Sequence, residues 1–136
     1  MNLKECFEKR LLLKIPIDHN KVNKSIETAE QFLIESKELL EANKLRYVIL
    51  SSYSAMFHSA RAILYNDGIQ EKSHYALYLY IKEKYEEFNN IIYEFYTARE
   101  QRHEGLYGLE SEYKKEDAEH ILNSAKEFIK RAKKLL

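Results

Sequence analysis

The chain is expected to fold as an all-α, antiparallel up-and-down helical bundle, with four main helices and short additional ones. Three observations carry that expectation. The 136 residues hold one Pro and three Gly, so little interrupts regular structure and the turn signals of a sandwich or barrel are missing. Apolar residues recur at three- and four-residue spacing in successive segments, the period of a helix with one buried face. Hydrophobic residues make up 45% of the chain, which excludes disorder. A single domain over residues 1–136 would bury about two-thirds of the surface its unfolded form exposes.

The elements follow in order. The first, about Leu3 to Lys14, is a short helix that ends before Pro16, because the residue ahead of a proline is held out of helical conformation. Asp18 offers an N-cap for a long second helix reaching about Asn43. Its stripe, Val22, Ile26, Ala29, Leu33, Ser36 and Leu40, has spacings of 4, 3, 4, 3 and 4. The third helix runs from about Leu45 to Asn66, with Gly68 as its stop. Leu50, Tyr53, Phe57, Ala60 and Leu64 form its main ridge, and Ala55, Ser59 and Ala62 a small-residue ridge that lets another helix approach closely. Apolar or small on most sides, it is the expected central helix.

Ser73 caps a fourth, shorter helix, with Tyr75, Tyr78, Leu79 and Lys82 on one side. The fifth begins near Phe88. The last runs from about Lys115 to the C-terminus, with Ala118, Ile121, Ala125, Phe128, Ala132 and Leu135 inward. Glu116, Asp117 and Glu119 open it and Lys130, Arg131, Lys133 and Lys134 close it, so both ends complement the helix dipole. The loops between these segments are short, which favours antiparallel neighbours.

Several function classes are excluded by what the chain contains. Twenty-two basic residues balance twenty-two acidic ones, so attraction to nucleic acid or to an anionic membrane must come from local patches. Cys6 is the only cysteine, which rules out an intrachain disulfide and a Cys-based zinc site. The N-terminus lacks a secretory pattern, and the longest apolar stretch, Tyr47 to Phe57, is too short and Ser-rich to span a bilayer. A cytoplasmic location and no membrane partner are expected. The chain has no Gly-rich phosphate loop, HExxH or nucleophile elbow. No Glu on a core stripe is followed three residues on by a His, as di-metal bundles require. Neither a metal nor a cofactor is expected.

Charge sits on an apolar stripe in two places. Phe88, Ile91, Phe95 and Ala98 are spaced 3, 4 and 3, and the next member is Arg102. A buried guanidinium without a partner costs several kcal/mol, so Arg102 must meet a carboxylate, a wet groove, a second subunit or an anionic ligand. Arg99, His103 and Tyr107 form an adjoining line. On the third helix, Ser51, Ser54, His58, Arg61 and Tyr65 make a polar seam whose charge is also basic, since no acid occurs between Lys44 and Asp67. His58 and Arg61 could equally be satisfied by nearby Glu side chains. His74 is most simply a capping or solvated residue but also a binding candidate; His19 and His120 look like surface residues. Tyr75, Tyr78 and Tyr80 could stack bases.

The chain resembles the HEPN family, small helical-bundle proteins found in prokaryotes beside minimal nucleotidyltransferases and in toxin–antitoxin pairs. The likeness covers nearly the whole chain. It rests on residues 53–74, YSAMFHSARAILYNDGIQEKSH, where family members have an aromatic-rich helix, a Gly and a Lys-Ser-His-like turn. It rests also on residues 102–107, RHEGLY, and on a final helix opening KKEDAEHIL and running through AKEFI. The resemblance implies four main helices plus a short one, usually in a homodimer. Many members are metal-independent RNases in which an Arg, followed after four to six intervening residues by a His, meets its counterpart in a cleft at the dimer interface. There the Arg would stabilise phosphate charge while the His moves a proton. In some toxin members a Tyr near this motif receives a nucleotide from the partner, and Tyr107 is the candidate by position.

This sequence departs from that pattern. His103 directly follows Arg102, only three residues separate Arg99 from His103, and Tyr107 stands where the family's His would be. A phenol, with an ordinary pKa of about 10, is a poor base near pH 7. Two readings follow. The first is a homodimeric HEPN-like binding module that pairs with a minimal nucleotidyltransferase or holds nucleotide or RNA phosphate in an Arg-lined cleft, using Arg102 with Arg99, His58, Arg61 and His74. The second is a metal-independent endoribonuclease of toxin type, in which Arg102 holds phosphate and His103 or Tyr107 handles protons. A helical scaffold without a ligand is a third, duller possibility. The binding module is the expectation.

Overall fold

The most apolar helix of the sequence is the axis of the fold. Six helices, α1 (Leu3–Glu8), α2 (His19–Glu41), α3 (Leu45–Asn66), α4 (His74–Lys84), α5 (Ile92–Tyr107) and α6 (Lys115–Leu135), pack with two short strands, β1 (Leu12–Lys14) and β2 (Ile69–Glu71). The structure, a computed structural model, describes residues 1–107 and 113–136, with side chains for 1–104 and 113–136. The α3 helix packs against α2, α5 and α6. It buries Tyr53, Phe57, Ala60 and Leu64 from its main ridge and Ala55, Ser59 and Ala62 from its small-residue ridge.

The core follows from the stripes. Ala118, Ile121, Ala125, Phe128 and Ala132 of α6 are all buried. Phe128 packs against Phe88 and Phe95 in tilted geometry with ring centroids 4.7 and 5.7 Å apart, and Phe95 stacks on Tyr53 at 5.3 Å. Such contacts add about 0.5–1.5 kcal/mol each beyond the area they bury. Ser36, the polar member of the α2 stripe, is fully buried yet satisfied. Its hydroxyl lies 2.6 Å from that of Ser52 and donates to the Val48 carbonyl at 3.1 Å. A small hydrogen-bonded pair therefore lets α2 and α3 approach closely.

Helix boundaries reflect their caps. Asp18 accepts a hydrogen bond from the Asn20 amide, and Ser73 from the Ala76 amide, as the sequence leads one to expect. The first segment differs from expectation: the helix ends at Glu8 and does not reach Lys14. Arg10 adopts φ 59°, and the Leu11 amide donates back to the Cys6 carbonyl at 2.8 Å, closing a left-handed helix stop. Non-glycine residues rarely adopt this conformation, so an Arg there gives no sequence signal. The chain beyond it pairs as β1, with Leu12 opposite Glu71 and Lys14 opposite Ile69 in antiparallel register. Burial of Leu12, 1% exposed, anchors this ribbon to the core.

One further boundary is corrected. The fifth helix starts at Ile92, not near Phe88, because Glu86–Phe88 forms a 3-10 turn; Phe88 and Ile91 still reach the core ahead of it. Of the three tyrosines offered for base stacking, only Tyr75 is exposed. Tyr78 is 6% exposed against Tyr96. Tyr80 is buried, and its hydroxyl, like that of Tyr85, donates to the Asp67 carboxylate. Burial, with that carboxylate, drives both phenols far above their ordinary range.

Gly68 ends α3 with φ 74° and passes directly beneath β1. A Cβ there would stand 2.9 Å from the Ile15 carbonyl oxygen, and the Gly68 carbonyl itself accepts from the Ile15 amide. Both backbone conformation and space demand glycine. Gly68→Ala is expected to lower the unfolding free energy by about 2 kcal/mol or more in urea titration, since the left-handed penalty alone is roughly 1–2 kcal/mol. An unchanged midpoint would contradict this account of the turn.

Candidate functional site

The fifth-helix stripe ends where α5 passes the start of α4, and there the core opens into a cleft of about 440 Å³ lined by His74, Arg99, Glu100, Arg102 and His103. Arg102 continues the inward line of Phe95 and Ala98. Its guanidinium carbon lies 5.4 Å from the centroid of the Tyr53 ring, a cation–π arrangement that seats a half-buried charge on the central helix. Among the described residues, no carboxylate forms an ion pair with Arg102. Arg99, one turn earlier, lies 3.3 Å from the carboxylate of Glu100, and both side chains are well exposed. A pair of that kind contributes little and leaves the guanidinium available.

His74 is not the solvated or capping residue it most simply suggests; Ser73 does the capping. Its ring is half-buried, stacked on Phe57 at 4.3 Å, and its Nδ1 lies 2.5 Å from the Tyr53 hydroxyl. Burial, and then the positive charges of Arg102 and Arg99, lower its pKa below the ordinary 6.5; Glu71 opposes them and Arg61 adds to them. The Tyr53 phenol is pushed up to about 12 by burial, against the pull of Arg102 and Arg99. At neutral pH the cleft therefore presents the cations of Arg99 and Arg102, the exposed Glu100 carboxylate and the largely neutral imidazole of His74, with the neutral phenol of Tyr53 beneath them.

His103 lines the same cleft from an exposed position. The side chain of Tyr107 lies outside the described residues. His58 and Arg61 are placed elsewhere. They line a second, smaller groove of about 240 Å³ with Lys21, Lys24 and Tyr65. Arg61 donates through Nε and its terminal nitrogen to the Glu71 carboxylate, while Gln70 donates to the other Glu71 oxygen. Glu71 is only 5% exposed, so this is the carboxylate partner the polar seam requires. His58 stacks on Phe32 at 5.5 Å, and burial followed by Arg61 lowers its pKa. The Phe57 ring touches both His58 and His74, and so separates the paired charge from the cleft.

Sequence reasoning missed two participants. Glu71 lies beyond the helix whose charge it satisfies, in a strand the pattern did not announce. Tyr53 reads as one more apolar position on the core ridge; the signal available was a phenol where Phe would fill the same space. His120 is exposed, as its sequence position suggests, and bonds to the Glu94 carboxylate at 2.8 Å. Among the described residues, no group of three or more His, Cys, Asp or Glu is arranged to hold a metal ion, and no helix is long and apolar enough to cross a membrane.

Fold and site together define a mostly helical bundle in which α4 and α5 line a basic cleft beside the central helix. The chain belongs to the HEPN domain family, whose model matches residues 22–135. It is 30% identical over 119 residues to a Methanocaldococcus jannaschii protein named "Putative toxin MJ0142", covering 85% of this chain and 81% of the relative. A second protein of that organism, "Putative toxin MJ0605", is 33% identical over 119 residues, 82% of this chain and 85% of its own. A "UPF0332 protein" of Archaeoglobus fulgidus is 31% identical over 111 residues, covering 79% and 89% of the two chains.

The two tuned histidines give stability a pH dependence. His58 and His74 have folded pKa values below 6.5, so the unfolded chain takes up protons first as pH falls. Stability is then fully present above about pH 6.5 and is lost as pH drops through the folded values. The urea midpoint is expected to stay level between about pH 7 and 8 and to fall between about pH 6.5 and 5. Replacing both histidines with Gln should flatten that fall. A midpoint that rises on acidification through this window would reverse the assignment.

Proposed function

We propose that this protein is a homodimeric binding module of toxin–antitoxin type that holds the phosphate of a nucleotide or RNA in its Arg-lined cleft, with a minimal nucleotidyltransferase as protein partner. The observation that carries the reading is Arg102, a half-buried guanidinium without a carboxylate partner among the described residues, held over Tyr53 beside Arg99 and His74. Guanidinium groups match phosphate oxygens in bidentate geometry. A neutral imidazole adds a donor without adding like charge. The naming of two relatives as toxins supports the biological setting. In a homodimer, the second copy would double the cations facing one ligand.

A second reading is favoured by one further observation, the presence of His103 in the same cleft as Arg102. On that reading the protein is a metal-independent endoribonuclease. Arg102 stabilises the developing phosphate charge, and His103 or Tyr107 moves the proton. The binding module is preferred because His74, the half-buried imidazole of the cleft, already has one ring nitrogen bonded to Tyr53.

Fluorescence anisotropy with a labelled single-stranded RNA in EDTA separates the two. Binding is expected to weaken at least tenfold, roughly, in Arg102→Ala, since a charge-assisted contact to phosphate supplies about 1.5–3 kcal/mol. It should also fall with added salt, while the RNA stays intact. Cleavage that disappears in both Arg102→Ala and His103→Ala would replace this reading with the second. Absence of any binding at low salt would overturn both.

A further inference from the structure

Tyr53 is buried to 1% exposure in the middle of the central helix, and among the described residues its hydroxyl has one hydrogen-bond partner, the Nδ1 of His74. A buried phenolic proton needs an acceptor. If Nδ1 carried the proton and donated to the phenol oxygen, the phenol's own hydrogen would be left without a partner. The satisfied arrangement is the other one, in which the phenol donates to an unprotonated Nδ1. The imidazole proton then sits on Nε2, because the bond made by one ring nitrogen fixes the state of the other. His74 lines the cleft, and Nε2 is the ring nitrogen left to meet a ligand there. The opposite side of the same phenol ring carries a different duty: its π face lies under the guanidinium of Arg102 at 5.4 Å.

We infer that Tyr53 is the positioning residue of the cleft, fixing His74 as an Nε2–H donor and seating Arg102, so that a hydrogen-bond donor and a cation converge on one bound oxyanion. This rests on the anion-binding reading above and adds to it the device that orients the binding groups. His74 thereby acts as a donor to phosphate oxygen and not as a base. Protonating it would put a hydrogen on Nδ1 and strand the buried phenolic proton. The charges that face His74 act in the same sense or against it by element. Arg102 and Arg99 of α5 and Arg61 of α3 disfavour the imidazolium, as does its burial, while Glu71 of β2 favours it.

Long-range proton–nitrogen NMR of the histidine rings tests the inference without any ligand. At pH 7.5 the wild-type His74 should give the pattern of the Nε2–H tautomer; an Nδ1–H pattern overturns the inference outright. Tyr53→Phe keeps the ring under Arg102 and removes only the hydroxyl. It should convert His74 to a mixture of tautomers, raise its pKa, and weaken inorganic pyrophosphate binding three- to tenfold. Tyr53→Leu removes the ring face as well and should weaken binding further. A tautomer unchanged in Tyr53→Phe overturns the positioning role even if pyrophosphate binds normally. Failure of the wild type to bind pyrophosphate, with the tautomer still responding to the substitution, overturns the anion reading and with it the binding half of the inference.

Discussion

A helix with no acidic residue, buried on most sides, can bond its serines to its own carbonyls but must find partners elsewhere for a guanidinium and a buried phenol. That constraint on α3 organises its surroundings. Arg61 requires a carboxylate, and β2 supplies Glu71. Tyr53 requires an acceptor, and the first residue of α4 supplies His74. Both partners lie within eight residues of the end of α3, delivered by the turn at Gly68. The short β-ribbon is thus more than a decoration on a bundle. It holds Glu71 in place, and removing either member of a buried ion pair typically costs about 3–5 kcal/mol.

The cleft follows from what this arrangement leaves over. Glu71 is committed to Arg61 and Gln70, and among the described residues it forms no ion pair with α5. On the far side of Phe57, Arg99 and Arg102 have only the exposed Glu100 for company among the described residues. Positive charge is therefore neutralised on one flank of the central helix and accumulates on the other. The chain has no net charge, yet two guanidinium groups and one exposed carboxylate line the cleft, a local excess of positive charge of the kind that attracts anions.

Much of this was legible in the sequence. The period of apolar residues placed α2, α3 and α6 nearly to the residue, because long amphipathic helices carry redundant signals and conventional caps at Asp18 and Gly68. The inward direction of Arg102 also followed from its register with Phe95 and Ala98. What was not legible has physical causes. The stop of α1 depends on Arg10 in a conformation that the residue type does not advertise. The ribbon depends on three-residue strands too short to show alternation. The separation of Arg61 from Arg102 depends on Glu71 reaching across from a segment distant along the helix surface, and the role of Tyr53 depends on one oxygen atom that periodicity treats as apolar.

On the proposed function, the unneutralised side of α3, and not the paired side, receives an anion. Following arginine Nε–H and histidine Nε2–H signals by NMR while inorganic phosphate is added measures this directly. Arg99, Arg102 and His74 should shift together along one saturating curve while Arg61 stays still. Movement of Arg61 in place of Arg102, or uniform small shifts at every arginine, would contradict it.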